Sequence, residues 1–174
     1  MIPASVSAAR DLLVELGAPA RLLRHAELVG EAAELLLKGL AALSVPLRRE
    51  LVLVGVVLHD AGKIRCRAEL EQPGSDHEPA GEALLLEHGV SPELARVCLS
   101  HARWSTMEVT LEEMVIALAD KLWKGVRRTD LEERVIDAVS ARAGKARWDL
   151  FVPLDTLFEE IAAGGPERLR RSAR

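Results

Sequence analysis

The chain has 174 residues, 49% of them hydrophobic, and a formal net charge of −4. This length fits one domain that buries most of its surface, and the hydrophobic content excludes a disordered chain. The negative charge gives no general footprint for nucleic acid, so we expect no nucleic-acid partner.

The first half of the chain contains three predicted helices. Residues 4–16 alternate apolar and polar residues with helical spacing. Residues 19–42 form a second helix, because their apolar residues recur at intervals of three and four. Pro46 takes a first helical position in a third helix, which ends near Asp60 with Gly62 as its stop.

The second half repeats the capping-box signature, in which Ser or Thr precedes Glu by three residues. Residues 64–76 are a predicted loop, and the helix that follows stops at Gly89. His88 meets the helix dipole there, and we assign it a structural or surface role. Another helix begins at Ser91 and runs to about His101. The three capping-box pairs are Ser75 with Glu78, Thr110 with Glu113, and Thr129 with Glu132.

The C-terminal region completes an all-helical pattern. Pro153 opens the last predicted helix, and the Gly-Gly-Pro sequence at 164–166 ends it. The basic sequence over residues 167–174 is expected to be frayed. No segment has the alternation of a strand, and few aromatic residues are present. We therefore predict an all-α protein, with a single compact helical domain over residues 1–163 and a basic tail over residues 164–174.

Three histidines on separate predicted helices face inward. His25, His59 and His101 all fall on or beside apolar stripes. Asp60 and Asp120 end apolar runs, and a buried ionised carboxylate is costly unless it is paired or metal-bound. Any one of these histidines alone is more typical of a core residue with one hydrogen bond. Together, imidazoles and carboxylates are the ligands of Zn, Fe or Mn, so the combination favours a metal.

The order of these residues resembles the HD-domain superfamily of metal-dependent phosphohydrolases. His25 is followed by His59 and Asp60 in the sequence HDAGK, and then by Asp120 in ALAD. HDAGK is very similar to the HD-Ile-Gly-Lys variant of the superfamily signature. The resemblance covers roughly residues 20–125 and implies an all-helical bundle in which these four residues hold one metal ion.

The resemblance also implies a second metal ion. Many members bind it through two further histidines, and here His77 and His101 stand in the matching segments. Asp60 would then bridge two divalent transition ions, which we expect to be Fe, Mn, Zn, Co or Ni. Two such ions clamp an in-line displacement at phosphorus and activate a water. Asp60 is therefore an expected catalytic residue as well as a ligand.

The resemblance further suggests a substrate class. The ligand order and the short spacing from His101 to Asp120 are most similar to small bacterial hydrolases that cleave diadenosine tetraphosphate. A small-molecule phosphate is the expected partner, and by analogy a nucleotide or dinucleoside polyphosphate. Lys63 is the first candidate for phosphate binding and catalysis, although a lysine that complements a helix C-terminus is the alternative. Arg103 and Lys121 are further substrate-binding candidates.

Other side chains near the last two ligands have simpler explanations. Trp104 and Trp123 could stack on a base, but residues that close the core are the better interpretation. A rim that attracts phosphates could include Lys124, Arg127 and Arg128, but a solvated helix face explains these residues equally well.

Two other functions stay open at this point. Some HD-fold proteins use the same six ligands to hold two irons and activate O₂, and dependence of turnover on oxygen separates them from hydrolases. The second is a non-catalytic regulatory module whose metal is structural, although structural sites are closed whereas catalytic ones keep an open position. The sequence does not fix the oligomeric state, and a homo-oligomer is among the options.

The expected location follows from the cysteines and the hydropathy. Cys66 and Cys98 form no CxxC motif and no disulfide framework, which favours a reducing compartment. The N-terminus lacks a signal-peptide pattern, and no apolar run reaches the ~18–20 residues of a membrane span. We therefore expect a soluble cytoplasmic protein without a membrane partner.

Overall fold

The structure, a computed structural model, describes residues 3–173 and is all-helical, without a strand in that range. Residues 1, 2 and 174 of the predicted domain and tail lie outside the described residues. The prediction of an all-α bundle is confirmed. Two 3₁₀-helices, Ala61–Ile64 and Arg67–Leu70, follow the α-helix Arg49–Leu58. The α-helices are α1 Val6–Glu15, α2 Ala20–Ala42, α3 Arg49–Leu58, α4 His77–Glu87, α5 Pro92–Ala95, α6 Val97–Arg103, α7 Leu111–Leu122, α8 Thr129–Ala143, α9 Arg147–Ala163 and α10 Gly165–Ser172.

Helix α7 runs through the centre of the bundle. Every residue of α7 except Lys121 is buried, and the helix packs against α2, α3, α6, α8 and α9. Its central residues 114–119 are all apolar, as a helix surrounded by other helices requires. The C-terminal turn of α7 therefore carries Asp120 into the interior of the bundle.

Helix α3 delivers the HDAGK sequence to the same interior. Residues 52–62 are buried without interruption. The helix begins at Arg49 rather than at Pro46 and ends before His59, earlier than predicted. Gly62 is required by close packing, because a Cβ atom there would lie 1.8 Å from the carbonyl oxygen of His77. This contact holds the turn after α3 against the start of α4.

Two of the predicted capping boxes can be compared directly. The box of Thr110 and Glu113 is confirmed, since the threonine hydroxyl accepts the Glu113 N–H and the glutamate accepts the Thr110 N–H. The box of Thr129 and Glu132 is wrong. Thr129 is already the first residue of α8, and Glu132 instead accepts the N–H of Arg128 at 3.2 Å.

The capping box of Ser75 and Glu78 is also wrong. Helix α4 begins at His77, and its residue before the first turn, Asp76, makes no side-chain cap. The carboxylate of Glu69 accepts the N–H groups of Asp76 and His77 at 3.0 and 3.2 Å. A residue of the second 3₁₀-helix, which lies inside the predicted loop of residues 64–76, therefore takes the place of the local cap.

The helices around Ser91 and Pro153 differ from the predictions. The helix from Ser91 is interrupted at Arg96, which separates α5 from α6. Pro153 lies inside α9 rather than at its start. Proline removes one helical hydrogen bond, and the carbonyl it leaves free belongs to Asp149, an exposed residue that water can reach.

The C-terminal segment is an ordered helix, so the expectation of a frayed end is wrong for the described residues. Arg168 is buried, and its guanidinium donates to the carbonyl oxygens of Ile161 at 2.9 Å and Trp123 at 3.3 Å. Arg171 donates to the carboxylate of Glu31 on α2. Because buried guanidinium groups need partners, these contacts fix α10 against the bundle. No helix among the described residues is both long and apolar enough to cross a membrane.

Candidate metal centre

Six polar side chains meet in the interior of the bundle. All are buried except His25, which is partly buried. They come from five separate segments of the chain, so only the packing of the helices brings them together. They are His25 on α2, His59 and Asp60 after α3, His77 at the start of α4, His101 on α6 and Asp120 on α7.

The carboxylate of Asp60 lies at the centre of this ligand cluster. Its Oδ2 atom is 3.3 Å from Nε2 of His25 and 3.7 Å from Nε2 of His59. Its Oδ1 atom is 3.3 Å from Nε2 of His77 and 3.5 Å from Nε2 of His101. The two oxygens of one carboxylate therefore face two different pairs of histidines.

Two compact groups within the ligand cluster could hold a metal ion. The ligand atoms of His25, His59 and Asp120 lie within 4.8 Å of one another, and so do those of His59, Asp60 and His101. Asp120 Oδ1 is 3.5 Å from His25 Nε2 and 3.4 Å from His59 Nε2. Nitrogen and oxygen donors at such separations suit a divalent transition metal.

The outer nitrogens of two histidines are fixed by backbone carbonyls. Nδ1 of His59 donates to the carbonyl oxygen of Val56 at 2.7 Å, and Nδ1 of His101 donates to that of Val97 at 3.0 Å. A carbonyl oxygen only accepts, so Nδ1 carries the proton and the lone pair of Nε2 is directed into the ligand cluster. Histidines that bind metals are typically held in this way.

His77 supplies a separate test of whether the donors fit a metal. Its Nδ1 is hydrogen-bonded to the carboxylate of Glu69. Its Nε2 is buried without a hydrogen-bond partner among the described residues. Buried polar atoms are nearly always satisfied, so this nitrogen calls for a ligand. A metal ion beside Asp60 would meet that need.

The charges of the ligand cluster are strongly coupled. Burial opposes ionisation of both carboxylates, yet the neighbouring histidines hold the pKa values of Asp60 and Asp120 well below their usual range. Burial also lowers the pKa of His25, but hydrogen bonds with Asp120 and Asp60 outweigh it and raise the pKa to about 9. Burial and the neighbouring His59 ring lower the pKa of His101 to about 4. His101 is therefore neutral at neutral pH, whereas His25 would have to release its proton in order to bind a metal ion.

The three predicted substrate-binding residues take different positions. Lys63 Nζ lies 2.6 Å from Asp60 Oδ2, and Lys121 Nζ lies 2.9 Å from Asp120 Oδ2. Both lysine side chains are 21% exposed, so each connects a ligand carboxylate with solvent. Arg103 instead donates from Nε to the carboxylate of buried Glu78 at 2.5 Å.

A cavity of about 880 Å³ opens beside the ligand cluster. His25, Asp60 and Lys63 lie in its wall, whereas Arg103 and Lys121 do not. Sequence reasoning missed most of its positive charge and left Lys124 open between a rim that attracts phosphates and a solvated helix face. Arg21 precedes His25 by about one helical turn and Arg24 is its immediate neighbour in the sequence, which was the available signal. The further cationic residues of the wall are Arg10, Arg21, Arg24 and Lys124, and Arg10 and Arg24 pair there with Glu27.

The tryptophans and His88 take the positions that the sequence predicts. Trp104 and Trp123 are both buried, as expected of residues that close the core. Trp123 also lines the cavity, and its ring stands edge-on to that of His25 with centroids 5.1 Å apart. His88 is exposed and donates to the carbonyl oxygen of Leu84, so it takes no part in the ligand cluster.

Comparison with known proteins gives one family. The family model described as HD domain matches residues 22–124, which is more than half of the chain. The matched range contains all six side chains of the ligand cluster. No solved structure matches the chain.

Proposed function

The chain belongs to the HD-domain family, whose members are generally metal-dependent hydrolases, and we propose that it hydrolyses a phosphoester or phosphoanhydride bond. The position of Asp60 carries this proposal. One buried carboxylate faces two pairs of histidines, and Lys63 contacts the same carboxylate from the cavity side. A donor set shared through one carboxylate is suited to a pair of ions that act on a phosphate.

The proposed ligands divide at Asp60. When bound, the divalent ions would activate water and neutralise charge on the phosphoryl oxygens. Imidazole and carboxylate donors suit Fe, Mn, Zn, Co or Ni. We assign one ion to His25, His59, Asp60 and Asp120, and a second to Asp60, His77 and His101.

Lys63 is proposed to hold the phosphate that reacts. Its ammonium group lies between the Asp60 carboxylate and the cavity. An ammonium has three N–H donors, so it can keep its bond to Asp60 and still donate to a phosphate oxygen. That second bond would orient the phosphorus atom towards the ligand cluster.

The cavity supports a substrate that is both anionic and partly apolar. Arg21 and Lys124 extend the positive charge beyond Lys63, while Leu70 and Trp123 supply apolar wall. Clustered positive charge in a concave site raises the local concentration of anions, and apolar walls bind ring systems. We therefore propose a nucleotide or dinucleoside polyphosphate as the substrate, in line with the resemblance of the sequence.

The test is product release from mononucleotides, cyclic nucleotides and dinucleoside polyphosphates. Metal-stripped protein is assayed anaerobically with Mn²⁺, Fe²⁺ or Co²⁺ added back. We expect metal-dependent cleavage that Asp60→Ala abolishes together with metal content. Asp137→Ala, which removes an exposed carboxylate on α8, is the matched control and should leave both unchanged.

Two results would contradict the proposal. Turnover that requires O₂, with two irons bound, would indicate an oxygenase. Full metal content without turnover of any substrate in the panel would indicate a regulatory module.

A further inference from the structure

Glu69 is a carboxylate outside the proposed ligand set that contacts one of its histidines. Its Oε2 accepts from Nδ1 of His77 and from the His77 N–H at 3.2 Å, and its Oε1 accepts the Asp76 N–H at 3.0 Å. The side chain is only 11% exposed, although it lies in the segment between α3 and α4. A nearly buried carboxylate with three donors at one helix start is closely held there.

The chain is shaped around this carboxylate. A Cβ atom at Gly74 would lie 2.4 Å from the carboxyl carbon of Glu69. Residue 74 therefore passes so close to the Glu69 side chain that only glycine fits without a shift. A side chain at residue 74 would displace the carboxylate, and with it the hydrogen bond to the His77 ring.

His77 needs such a partner because of its place in its helix. His59 and His101 each donate from Nδ1 to a carbonyl oxygen of the preceding helical turn. His77 is the first residue of α4, so no preceding turn of that helix can offer a carbonyl. Glu69 accepts the Nδ1 proton instead, which leaves Nε2 able to bind a metal ion together with Asp60 Oδ1, 3.3 Å away.

We propose that Glu69 is a positioning residue for the second metal ion, the one assigned to Asp60, His77 and His101. This inference rests on the proposed binuclear site. Outer carboxylates that hold a metal-binding histidine typically contribute about 10–100-fold to metal affinity. Loss of the Glu69 carboxylate should lower the affinity for the second ion by that factor and leave the affinity for the first ion unchanged.

Glu69→Gln keeps the size of the side chain but replaces one of its two acceptor oxygens by an NH₂ group. With the amide oxygen at the Oε1 position, the Asp76 N–H keeps its acceptor, and the NH₂ group meets Nδ1 and favours the wrong tautomer of His77. Glu71→Gln is the matched control, because Glu71 lies two residues further on, is exposed and pairs only weakly with Arg21 at 3.4 Å. Thermal unfolding of the metal-free variants checks that each remains folded.

The experiment is a Mn²⁺ titration of the full chain, followed by metal analysis and electron paramagnetic resonance. Wild type and Glu71→Gln should bind two ions and give the spectrum of a coupled pair. Glu69→Gln should bind one ion with wild-type affinity and the second about 10–100-fold more weakly. At Mn²⁺ concentrations that fill only the first site, this variant should give the spectrum of an isolated ion. His77→Ala, which removes the ligand itself, gives the limit for loss of the second ion.

Two results overturn the inference, and they differ. If Glu69→Gln binds both ions with wild-type affinity, Glu69 does not position the second ion, although the binuclear site stands. If the wild type binds fewer than two ions, the binuclear site is wrong and the role of Glu69 falls with it.

Discussion

At the scale of single residues, the ligand cluster places nitrogen lone pairs and carboxylate charges close together in the interior. Burying these groups costs free energy unless a cation binds among them. Nε2 of His25 and Nε2 of His59 are 3.4 Å apart, and Asp60 and Asp120 are both buried. Folding brings these atoms together from distant parts of the chain. The stability that packing provides must offset this cost, which is typical of functional sites.

Five of the six residues of this cluster could be found from the sequence because each lies on or ends an apolar pattern, whereas His77 follows a polar segment and was indicated only by the resemblance. Asp120 follows a run that is buried on all sides, and His59 with Asp60 does the same after α3. Glu69 could not be found in this way. It lies in the second 3₁₀-helix, inside a segment that the sequence predicts to be a loop, and its contact with His77 depends on the path of residues 70–76, for which no local pattern exists.

Lys63→Ala should weaken substrate use without loss of metal. A hydrogen bond to a charged group contributes about 1.5–3 kcal/mol, so kcat/KM should fall roughly 10–100-fold. Metal content should remain that of the wild type, because the ammonium contacts a ligand and is not one itself. Steady-state kinetics and metal analysis measure the two effects, and Lys38→Ala on the exposed side of α2 is the control. Loss of metal in Lys63→Ala would show that the lysine maintains the fold of the site.

At the scale of elements, local signals predicted helices well and helix starts less well. The capping box of Thr110 and Glu113 is present as predicted. The signatures at Ser75 and Thr129 have the same spacing. At the start of α4, however, the carboxylate of Glu69 accepts the Asp76 N–H, and at the start of α8 the Glu132 carboxylate accepts the N–H of Arg128, one residue before Thr129. A capping-box sequence therefore predicts which hydrogen bonds can form at a helix start, and tertiary contacts determine which of these bonds do form.

The two threonines allow a paired test of this point. Thr110→Ala should lower the free energy of unfolding by about 1 kcal/mol, because α7 loses a hydrogen bond at its first turn. Thr129→Ala should change it by less than about 0.5 kcal/mol, because Thr129 is exposed and already inside α8. Denaturant unfolding of both variants measures the difference. Equal losses would contradict the assignment of the caps.

At the scale of the whole molecule, charged pairs connect segments that are far apart in the sequence. Arg171 joins α10 to Glu31 on α2, and Arg142 on α8 donates to Glu112 at the start of α7. The cavity is likewise assembled from α1, α2, the residues after α7 and the C-terminal end of the described chain. Its cationic wall could not be predicted from local sequence, because no single segment contains more than a part of it.

The pair of Glu112 and Arg142 should make stability depend on pH. Burial raises the pKa of Glu112, but the hydrogen bond from Arg142 outweighs it, so the pKa lies below its usual value of 4.5. A carboxyl group whose pKa is lower in the folded state stabilises that state at pH values above 4.5. This contribution is lost as pH falls through the folded pKa. Glu112→Gln should therefore reduce the free energy of unfolding at pH 7 by about 1.5–3 kcal/mol.

The same variant should approach the wild type in acid. The difference between the two proteins should shrink as pH falls below 4.5, which denaturant unfolding at several pH values would measure. Glu133→Gln, which changes an exposed carboxylate paired with Arg147, should show little difference at any pH. A constant difference between Glu112→Gln and the wild type would contradict the role of the Glu112 charge.

The most direct measurement is anomalous diffraction from crystals of the protein grown with Mn²⁺, recorded so that the metal signal is distinguished. A binuclear site should give two anomalous peaks, one on either side of the Asp60 carboxylate. One should lie among His25, His59 and Asp120, and the other between His77 and His101. A single peak would contradict the binuclear assignment, and an absence of peaks within the ligand cluster would contradict the metal centre itself.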